Sequence, residues 1–530
     1  MKKIVCVLGL FLFGFTASAK IEMGTPFADG VVLQREMKVP VWGKVVPEMN
    51  ASLPRSVTVS FAGQTKTVMA DSVTGVWKVE LDPMDASKES RTMTVTEESG
   101  HWLVDLFSSP TDRVEIKDVL VGEVWFCSGQ SNTELPLVWD DAHFSDRLGR
   151  LTAQMTKKPN IRFCYASDYK WSTTPKTKAD YPVAWKPFLP ENLEASPSFS
   201  AMGVYFALEL YSALEIPIGI VGSYWGGTNI DAWTPRCGYE GQEALRETAT
   251  YKLHDDKSWK DEYKKGPIID KHQQPTVLWN EMVAPWAPMA MRGFIWYQGC
   301  HNNDEGLIYS TKMHALYNGW SKEFKNPNLK IYFVQLAPFG VSWYNLQLAQ
   351  AKFASEQPNA GMVTTCDIGN LDDIHPNEKS TIGKRLAALA LKHDYGFNKM
   401  IADAPTLKSC KWEKDRVVLS FENAEGWYLY NSDWSVDVPF EVAGADGKWV
   451  KAYLLNANGG AKKTRPWDTR GEVKGVDLVV AADVAVDVTA DKRIEKVVEP
   501  VKVRYLFQKP WTGGLFAKSG LPLGPFEAAK

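Results

Sequence analysis

This 530-residue chain is short of paired cysteines, of histidine and of charge of one sign. Its seven cysteines stand singly, with no Cys-x-x-Cys pair, which argues against a structural zinc site or a disulfide-dense scaffold. Only eight histidines occur, with no His-Glu-x-x-His run, so a zincin-type hydrolase is disfavoured. The 60 Lys and Arg nearly balance 63 Asp and Glu, for a net charge of −3, so no strong field draws in nucleic acid or an anionic membrane surface. Beyond the N-terminus no stretch approaches the roughly 20 uninterrupted apolar residues of a membrane span.

The N-terminus itself is apolar. Lys2-Lys3, an apolar run from Ile4 to Phe15 and the small residues Ala17-Ser18-Ala19 have the layout of a secretory signal cut after Ala19. Residues 1–19 are therefore expected to be removed and the mature chain exported, to the periplasm or the medium. Cys6 lies inside the apolar run rather than at its end, which argues against a lipid anchor. Cys127, Cys164, Cys237, Cys300, Cys366 and Cys410 are expected to be mostly buried free thiols, with room for one bridge. Aromatics are plentiful, with 21 Trp and 19 Tyr. Flat amphipathic rings suit sugar faces as well as protein cores, and Trp139, Trp225, Trp233 and Trp343 are candidates for stacking on a sugar.

A length of this order suggests about three or four structural units. Residues 20–117 alternate with period two, as in Val57, Val59 and Phe61 or Trp77, Val79 and Leu81, and read as a small antiparallel β-sandwich. Residues 118–400 switch to strands alternating with helices. "VLVGEVWFCSG", "IPIGIVGSYWGG", "MRGFIWYQG", "KIYFVQLAP" and "GMVTTCD" read as strands; "SFSAMGVYFALELYSAL" and "YNLQLAQAKFASEQ" read as helices. A last helix follows "HPNEKSTIGKRLAALALKHDYG", with Pro376 suited to its first turn and Gly396 to its end. Such alternation predicts a mostly parallel, helix-covered sheet that binds ligands at the carboxyl ends of its strands. Residues 401–530 return to period two, as in Val417, Leu419 and Phe421 or Val501, Val503, Tyr505 and Phe507, and read as β-rich. The turn signals "NANGGAKK" and "PWTGG" separate these runs.

Four polar segments fall at predicted strand ends: Gly129-Gln130-Ser131-Asn132, Trp225-Gly226-Gly227-Thr228, Gln298-Gly299-Cys300 and Asp372-Asp373-Ile374-His375-Pro376. Strand ends on one edge of a parallel sheet converge, and together these segments hold the parts of an acyl transfer. A serine hydroxyl needs a neighbouring imidazole to take its proton, which pairs Ser131 with His375. The imidazole needs a carboxylate to hold its tautomer, for which Asp372 is favoured. An oxyanion needs aimed donors, available from the backbone of Ser131, from Gly226 or Gly227, and from the Gln298 amide.

"GEVWFCSGQSN", "GSYWGGTNIDAW", "RGFIWYQG" and "DIHPNEKSTIGKRLA" resemble the ordered motifs of the sialate O-acetylesterase family, a branch of the SGNH hydrolases. "FADGVVLQRE", "VPVWG", "VRYLF" and "GLPLGPF" are similar to that family's flanking segments, so the resemblance spans nearly the whole mature chain. It implies an α/β fold, an SGNH-type flavodoxin-like three-layer α/β/α esterase domain flanked by N- and C-terminal β-rich domains. It also implies removal of O-acetyl groups from sugars, with an O-acetylated carbohydrate as partner and no metal or organic cofactor. On this resemblance Ser131 matches the nucleophile, Gly227 or Gly226 the oxyanion glycine, Gln298 the oxyanion side chain and His375 the base. Gln130, Asn132, Trp225, Asn302 and Asp373 are candidate substrate contacts. The chain departs from the family at Cys300, where Glu is usual, and at Thr133, where Met is common. The family often places an acid two residues before the histidine and the wider SGNH pattern places it three before; Asp373 and Asp372 occupy both positions.

Two other readings stand beside a sialate esterase. One is an esterase for acetylated xylan or pectin, since no nameable residue separates those glycans from sialate. The other is a carbohydrate-binding protein with a decayed site, motivated by Cys300 and the tryptophans. A Cys300-His301 nucleophile is disfavoured because adjacent side chains on an extended chain point apart. An α/β-hydrolase elbow is disfavoured because Asn132-Thr133 follows Ser131 where Gly is required two residues on. Nothing in the sequence sets an oligomeric state.

Overall fold

The structure, a computed structural model, describes residues 19–47, 55–98, 112–137, 151, 153, 158–166, 169–189, 199–266, 268–431, 440–455, 471–473, 475–481, 497, 499–507 and 513–530. Apart from Ala19, the expected leader lies outside the described residues, as do Trp139, the "NANGGAKK" segment and most of "PWTGG".

One long strand, β1 (Asp112–Gly129), organises the protein. Its N-terminal part pairs antiparallel with Ser87–Glu98 and is covered on alternate residues, whereas every residue from Val119 to Gly129 is buried. The change marks the passage from a sheet with one wet face to a parallel sheet covered on both. The parallel sheet adds β2 (Ile161–Tyr165), β3 (Ile218–Tyr224), β4 (Gly293–Tyr297), β5 (Lys330–Val334) and β6 (Ala360–Val363). Their order is β2-β3-β1-β4-β5-β6, every neighbouring pair parallel. Because the chain builds to one side of β1 with β2 and β3 and to the other with β4, β5 and β6, a crevice is left at the carboxyl end of β1.

Four long helices cover this sheet: α1 (Ala201–Leu214), α2 (Ile308–Glu323), α3 (Tyr344–Glu356) and α4 (Lys379–Asp394). Successive strand residues point to opposite faces, and the aromatic contacts follow that rule. Trp125 meets Phe206 of α1 with ring centres 5.1 Å apart, while its neighbour Phe126 meets Trp320 of α2 at 5.3 Å. Tyr332 donates its hydroxyl to Asp394 of α4 at 2.6 Å, while Phe333 meets Phe353 of α3 at 5.5 Å. Trp125 and Tyr332 stack on each other, so α1 and α4 share one face and α2 and α3 the other. Pro376 precedes α4 rather than forming its first turn, because its carbonyl accepts from the Lys379 side chain instead of an intrahelical N–H. Gly396, at φ +78°, ends that helix as expected.

The N-terminal strands Ala19–Met23, Val39–Pro47 and Val76–Leu81 form one antiparallel sheet; Ser56–Phe61 pairs with Gln64–Met69 and Ser87–Glu98. Val57, Val59, Phe61, Trp77, Val79 and Leu81 all point inward, as their alternation predicts. A buried carboxylate on β1, Glu123, ties it to Gln34, Arg35 and Arg292. Burial alone would raise the Glu123 pKa, but Arg292, Arg35 and Gln34 bond both its oxygens and hold it below the usual range. A single apolar cluster runs from Ala19 to Ala402, and a second joins Val417 to Leu523 in the C-terminal strands. Cys127, Cys164, Cys237, Cys300, Cys366 and Cys410 are all free thiols. Among the described residues no helix is long and apolar enough to cross a membrane.

Candidate active site

The turn after β1 is shaped by Gly129, whose φ of +142° suits glycine and whose missing Cβ would lie 2.3 Å from the Tyr297 carbonyl. The chain then enters a one-turn helix, Ser131–Glu134. Thr133 anchors it from below, its hydroxyl reaching the carbonyls of Ser128 and Tyr297 at 3.2 and 3.0 Å. This threonine is thus a polar staple as well as a packing change. Ser131 stands at the start of the helical turn, half-buried, with its N–H in the position that has no intrahelical acceptor.

Ser131 and His375, 244 positions apart, meet: Oγ and Nε2 are 3.0 Å from each other. With the ring proton on Nδ1, Nε2 is the acceptor for the serine hydroxyl. Burial holds the His375 pKa below its ordinary value of 6.5; the nearby Lys379 charge adds to this and Asp373 opposes it. The imidazole is therefore neutral, as a base must be, at neutral pH.

The carboxylate beside Nδ1 belongs to Asp373, 3.5 Å away, and not to Asp372. Asp373 Oδ1 also accepts the His375 backbone N–H at 2.9 Å, which folds the loop so that the acid two residues back faces the ring. Asp372 is exposed, and its own N–H donates to Asn370 at 2.9 Å. The expectation for Asp372 thus gives way to its neighbour.

The expected oxyanion donors divide similarly. Gly226 donates its N–H to Glu134 Oε2 at 2.6 Å and has none to spare. Glu134 is braced in turn by the Tyr169 hydroxyl. Gly227, at φ +70° and exposed, has open space around it. The Gln298 amide is fully buried and committed: Nε2 donates to the Thr228 carbonyl at 2.9 Å and to Asn302 Oδ1 at 2.7 Å, while Oε1 accepts from Tyr309 at 2.7 Å. Both its N–H groups are thus spent inside the protein. Asn302 carries what Gln298 lacks. Its Oδ1 accepts from Gln298 and from Ile230 N–H, while Nδ2 is buried without a partner among the described residues, and a buried donor left unpaired in a native fold calls for a reason.

Of the other candidate substrate contacts, Gln130 and Asn132 turn inward. Gln130 Oε1 accepts from Gly299 N–H at 3.1 Å and Asn132 Nδ2 donates to the Ile374 carbonyl at 3.0 Å. Trp225 stays at the rim, half-buried, stacked on His272 at 4.8 Å and edged by Tyr169 at 5.3 Å. Trp233 and Trp343 are buried and donate to Thr228 Oγ1 and the Ala337 carbonyl. They serve the core and not a sugar. Glu134, Tyr169 and His272 are not legible as site residues, because no motif sets them apart from surface or core residues; Lys379 falls inside the quoted histidine motif, but nothing in the sequence shows that it is buried against Asn132. Cys300 lies beside Lys379 and Tyr297, and burial pushes its thiol up to about 12. Among the described residues no three His, Cys, Asp or Glu side chains gather as a metal site would need.

The chain is similar to known carbohydrate esterases. The human sialate O-acetylesterase is 26% identical over 445 residues, covering 75% of this chain and 77% of that protein. The mouse sialate O-acetylesterase is 25% identical over 422 residues, covering 71% and 74%. The crystal structure of a carbohydrate acetylesterase from Xanthomonas citri superposes with a TM-score of 0.73 at 28% identity, covering 96% of this chain and 99% of that one. Residues 121–392 match the family described as carbohydrate esterase, sialic acid-specific acetylesterase. That span runs from the buried half of β1 into α4 and takes in every residue of the site, so the chain belongs to this family of carboxylic ester hydrolases.

Proposed function

We propose that the protein removes O-acetyl groups from sugars, sialate first among them, through an acetyl-enzyme on Ser131. The observation that carries this reading is the 3.0 Å contact between Ser131 Oγ and His375 Nε2. His375 takes the serine proton as Oγ bonds to the acetyl carbon. The tetrahedral oxyanion is met by the N–H groups of Ser131 and Gly227 and by Asn302 Nδ2, three donors that have no partner among the described residues. The bond from the acetyl carbon to the sugar oxygen then breaks, and that oxygen leaves with the proton from His375. Water repeats the cycle: His375 takes its proton, its oxygen attacks the acetyl carbon, and Ser131 regains a proton as acetate departs. Asp373 steadies the transient imidazolium.

In this reading residues 118–400 are an SGNH-type, flavodoxin-like α/β/α domain between β domains at 20–117 and 401–530, and residues 1–19 direct export. A neutral acetylated glycan is the second substrate class. The rim of Trp225, Tyr169 and His272 favours it, since it offers rings for stacking. Acetate release from 9-O-acetylsialate and from acetylated xylose, by wild type and Ser131→Ala, tests both points. The wild type is expected to release acetate and Ser131→Ala to fall by more than a thousandfold. Unchanged turnover in Ser131→Ala would end the proposal.

A further inference from the structure

The residues that flank the Ser131–His375 contact are themselves tied together. Asn132 follows Ser131; Ile374 and Pro376 lie on either side of His375. Asn132 Nδ2 donates to the Ile374 carbonyl at 3.0 Å, and Asn132 Oδ1 accepts from Lys379 Nζ at 2.5 Å. The same Nζ donates to the Pro376 carbonyl at 2.8 Å. One amide and one amine therefore join the residue after the nucleophile to both carbonyls that bracket the base. Lys379 opens α4, whose Ile382, Leu386 and Leu389 are buried in the main core, so the tie is anchored in the helical layer.

This lysine is 4% exposed. A lysine is almost never so deeply buried without a carboxylate partner, yet among the described residues none lies within ion-pairing distance of its Nζ. The ionisable groups facing it are Cys300, Asp373 and His375, with the Tyr297 ring 5.5 Å away. Packing alone does not ask for an amine here, since a methionine would fill similar space without the desolvation cost.

We propose that Lys379, through Asn132 and the Pro376 carbonyl, is a positioning residue that holds His375 against Ser131. The inference rests on the esterase reading above. Burial lowers the Lys379 pKa to about 7; both of its protonation states keep the N–H donors for the two bonds, so the tie persists across neutral pH. Its charged form, which prevails at acid pH, also opposes protonation of His375, against the attraction of Asp373.

Steady-state kinetics of the full chain on p-nitrophenyl acetate from pH 5 to 9 test this with Lys379→Met, Asn132→Ala, their double variant and Ser131→Ala. Lys379→Met is expected to lose about ten- to a hundredfold in kcat, the scale of a misplaced reacting group, with KM changed less than about threefold. Its acid limb should move to higher pH, because a positive charge that disfavours the imidazolium is gone. Asn132→Ala should lose a similar factor, and the double variant no more than the worse single, since both cut one tie. A folded Lys379→Met with kcat within twofold and an unmoved acid limb would overturn the proposal, as would full additivity. If Lys379→Met does not fold, Asn132→Ala decides by the same kcat criterion. Ser131→Ala separates the two levels: if it is inactive while the others are normal, only the tie is wrong; if it is fully active, the esterase reading falls as well.

Discussion

Replacing Asp373 by Asn removes a charge and keeps a shape, which makes it a direct test of which acid serves His375. Oδ1 of Asp373 accepts the His375 N–H at 2.9 Å and lies 3.5 Å from Nδ1. An asparagine oxygen can keep the first contact, so the loop stays folded while the second loses its charge. The imidazolium formed as Ser131 gives up its proton then forgoes an attraction of about 1 kcal/mol at a water-like dielectric, or about 5 kcal/mol at an effective value of about 20. The Asp373 side chain is 47% exposed and that of His375 27%, so solvent draws the figure toward the lower end, to about 2 kcal/mol. That corresponds to a loss of about 30-fold in kcat. Initial rates on p-nitrophenyl acetate against pH measure it. Because Asp373 opposes the burial and the Lys379 charge that hold His375 low, its loss should carry the acid limb to still lower pH, opposite to Lys379→Met. Asp372→Asn, altering an exposed side chain, should stay within about twofold of wild type. A greater loss for Asp372→Asn than for Asp373→Asn, or a loss under threefold for Asp373→Asn with the acid limb unmoved, would refute the assignment.

Asn302 and Gln298 should fail in different ways. Asn302→Ala is expected to cost about 100- to 1,000-fold in kcat, the scale of one oxyanion donor. Gln298→Leu, which strips partners from the Thr228 carbonyl, Asn302 Oδ1 and Tyr309, is expected to lower stability by about 1–3 kcal/mol in urea unfolding with the smaller kinetic loss; the reverse order would return Gln298 to the oxyanion role. Cys300, with a thiol pushed up to about 12, holds roughly one thiolate in ten thousand at pH 8. Iodoacetamide at that pH should leave activity intact and Cys300→Ala should remain active, whereas inactivation of wild type but not of Cys300→Ala would show a thiol role.

The strands and most helices of the central sheet are legible because their apolar runs are dense and their ends are marked. β1, β3 and β4 close on Gly129, Tyr224 and Tyr297 just before the polar segments that converge. α2 escapes such reading because its buried positions include Ser310 and Lys312, the latter bonded to Asp231 at 2.6 Å and to Glu305 at 2.8 Å. Polar residues in a core conceal a helical stripe until their partners are known. The meeting of Ser131 and His375 is legible because their segments follow strands whose ends converge on one edge of a parallel sheet. The choice between Asp372 and Asp373 is not, since both are aspartates on one loop and a backbone bond to His375 N–H decides which faces the ring. Gln298 misleads for a related reason: an amide at a strand end can face the substrate or the fold, and nothing in the sequence shows that Thr228, Asn302 and Tyr309 all turn toward it.

The site divides its polar groups by depth, and that division has a chemical reason. Gln130, Asn132, Thr133, Gln298 and Lys379 are buried beneath it, each with its hydrogen bonds directed at a backbone carbonyl, a backbone N–H or another of the buried polar side chains. Ser131, His375 and Asp373 are partly open. A hydrolase that passes through an acetyl-enzyme must admit water for its second step, so its reacting groups cannot be sealed in. Exposed groups on loops are imprecise unless held from behind, and a displacement of about 1 Å can cost a hundredfold. Buried bonds are the ones solvent cannot compete for. On the proposed mechanism, the 3.0 Å contact is held from the dry side, by side chains buried beneath it. Substitutions there should lower kcat while leaving KM nearly unchanged, whereas changes at Trp225 on the rim should act on KM first.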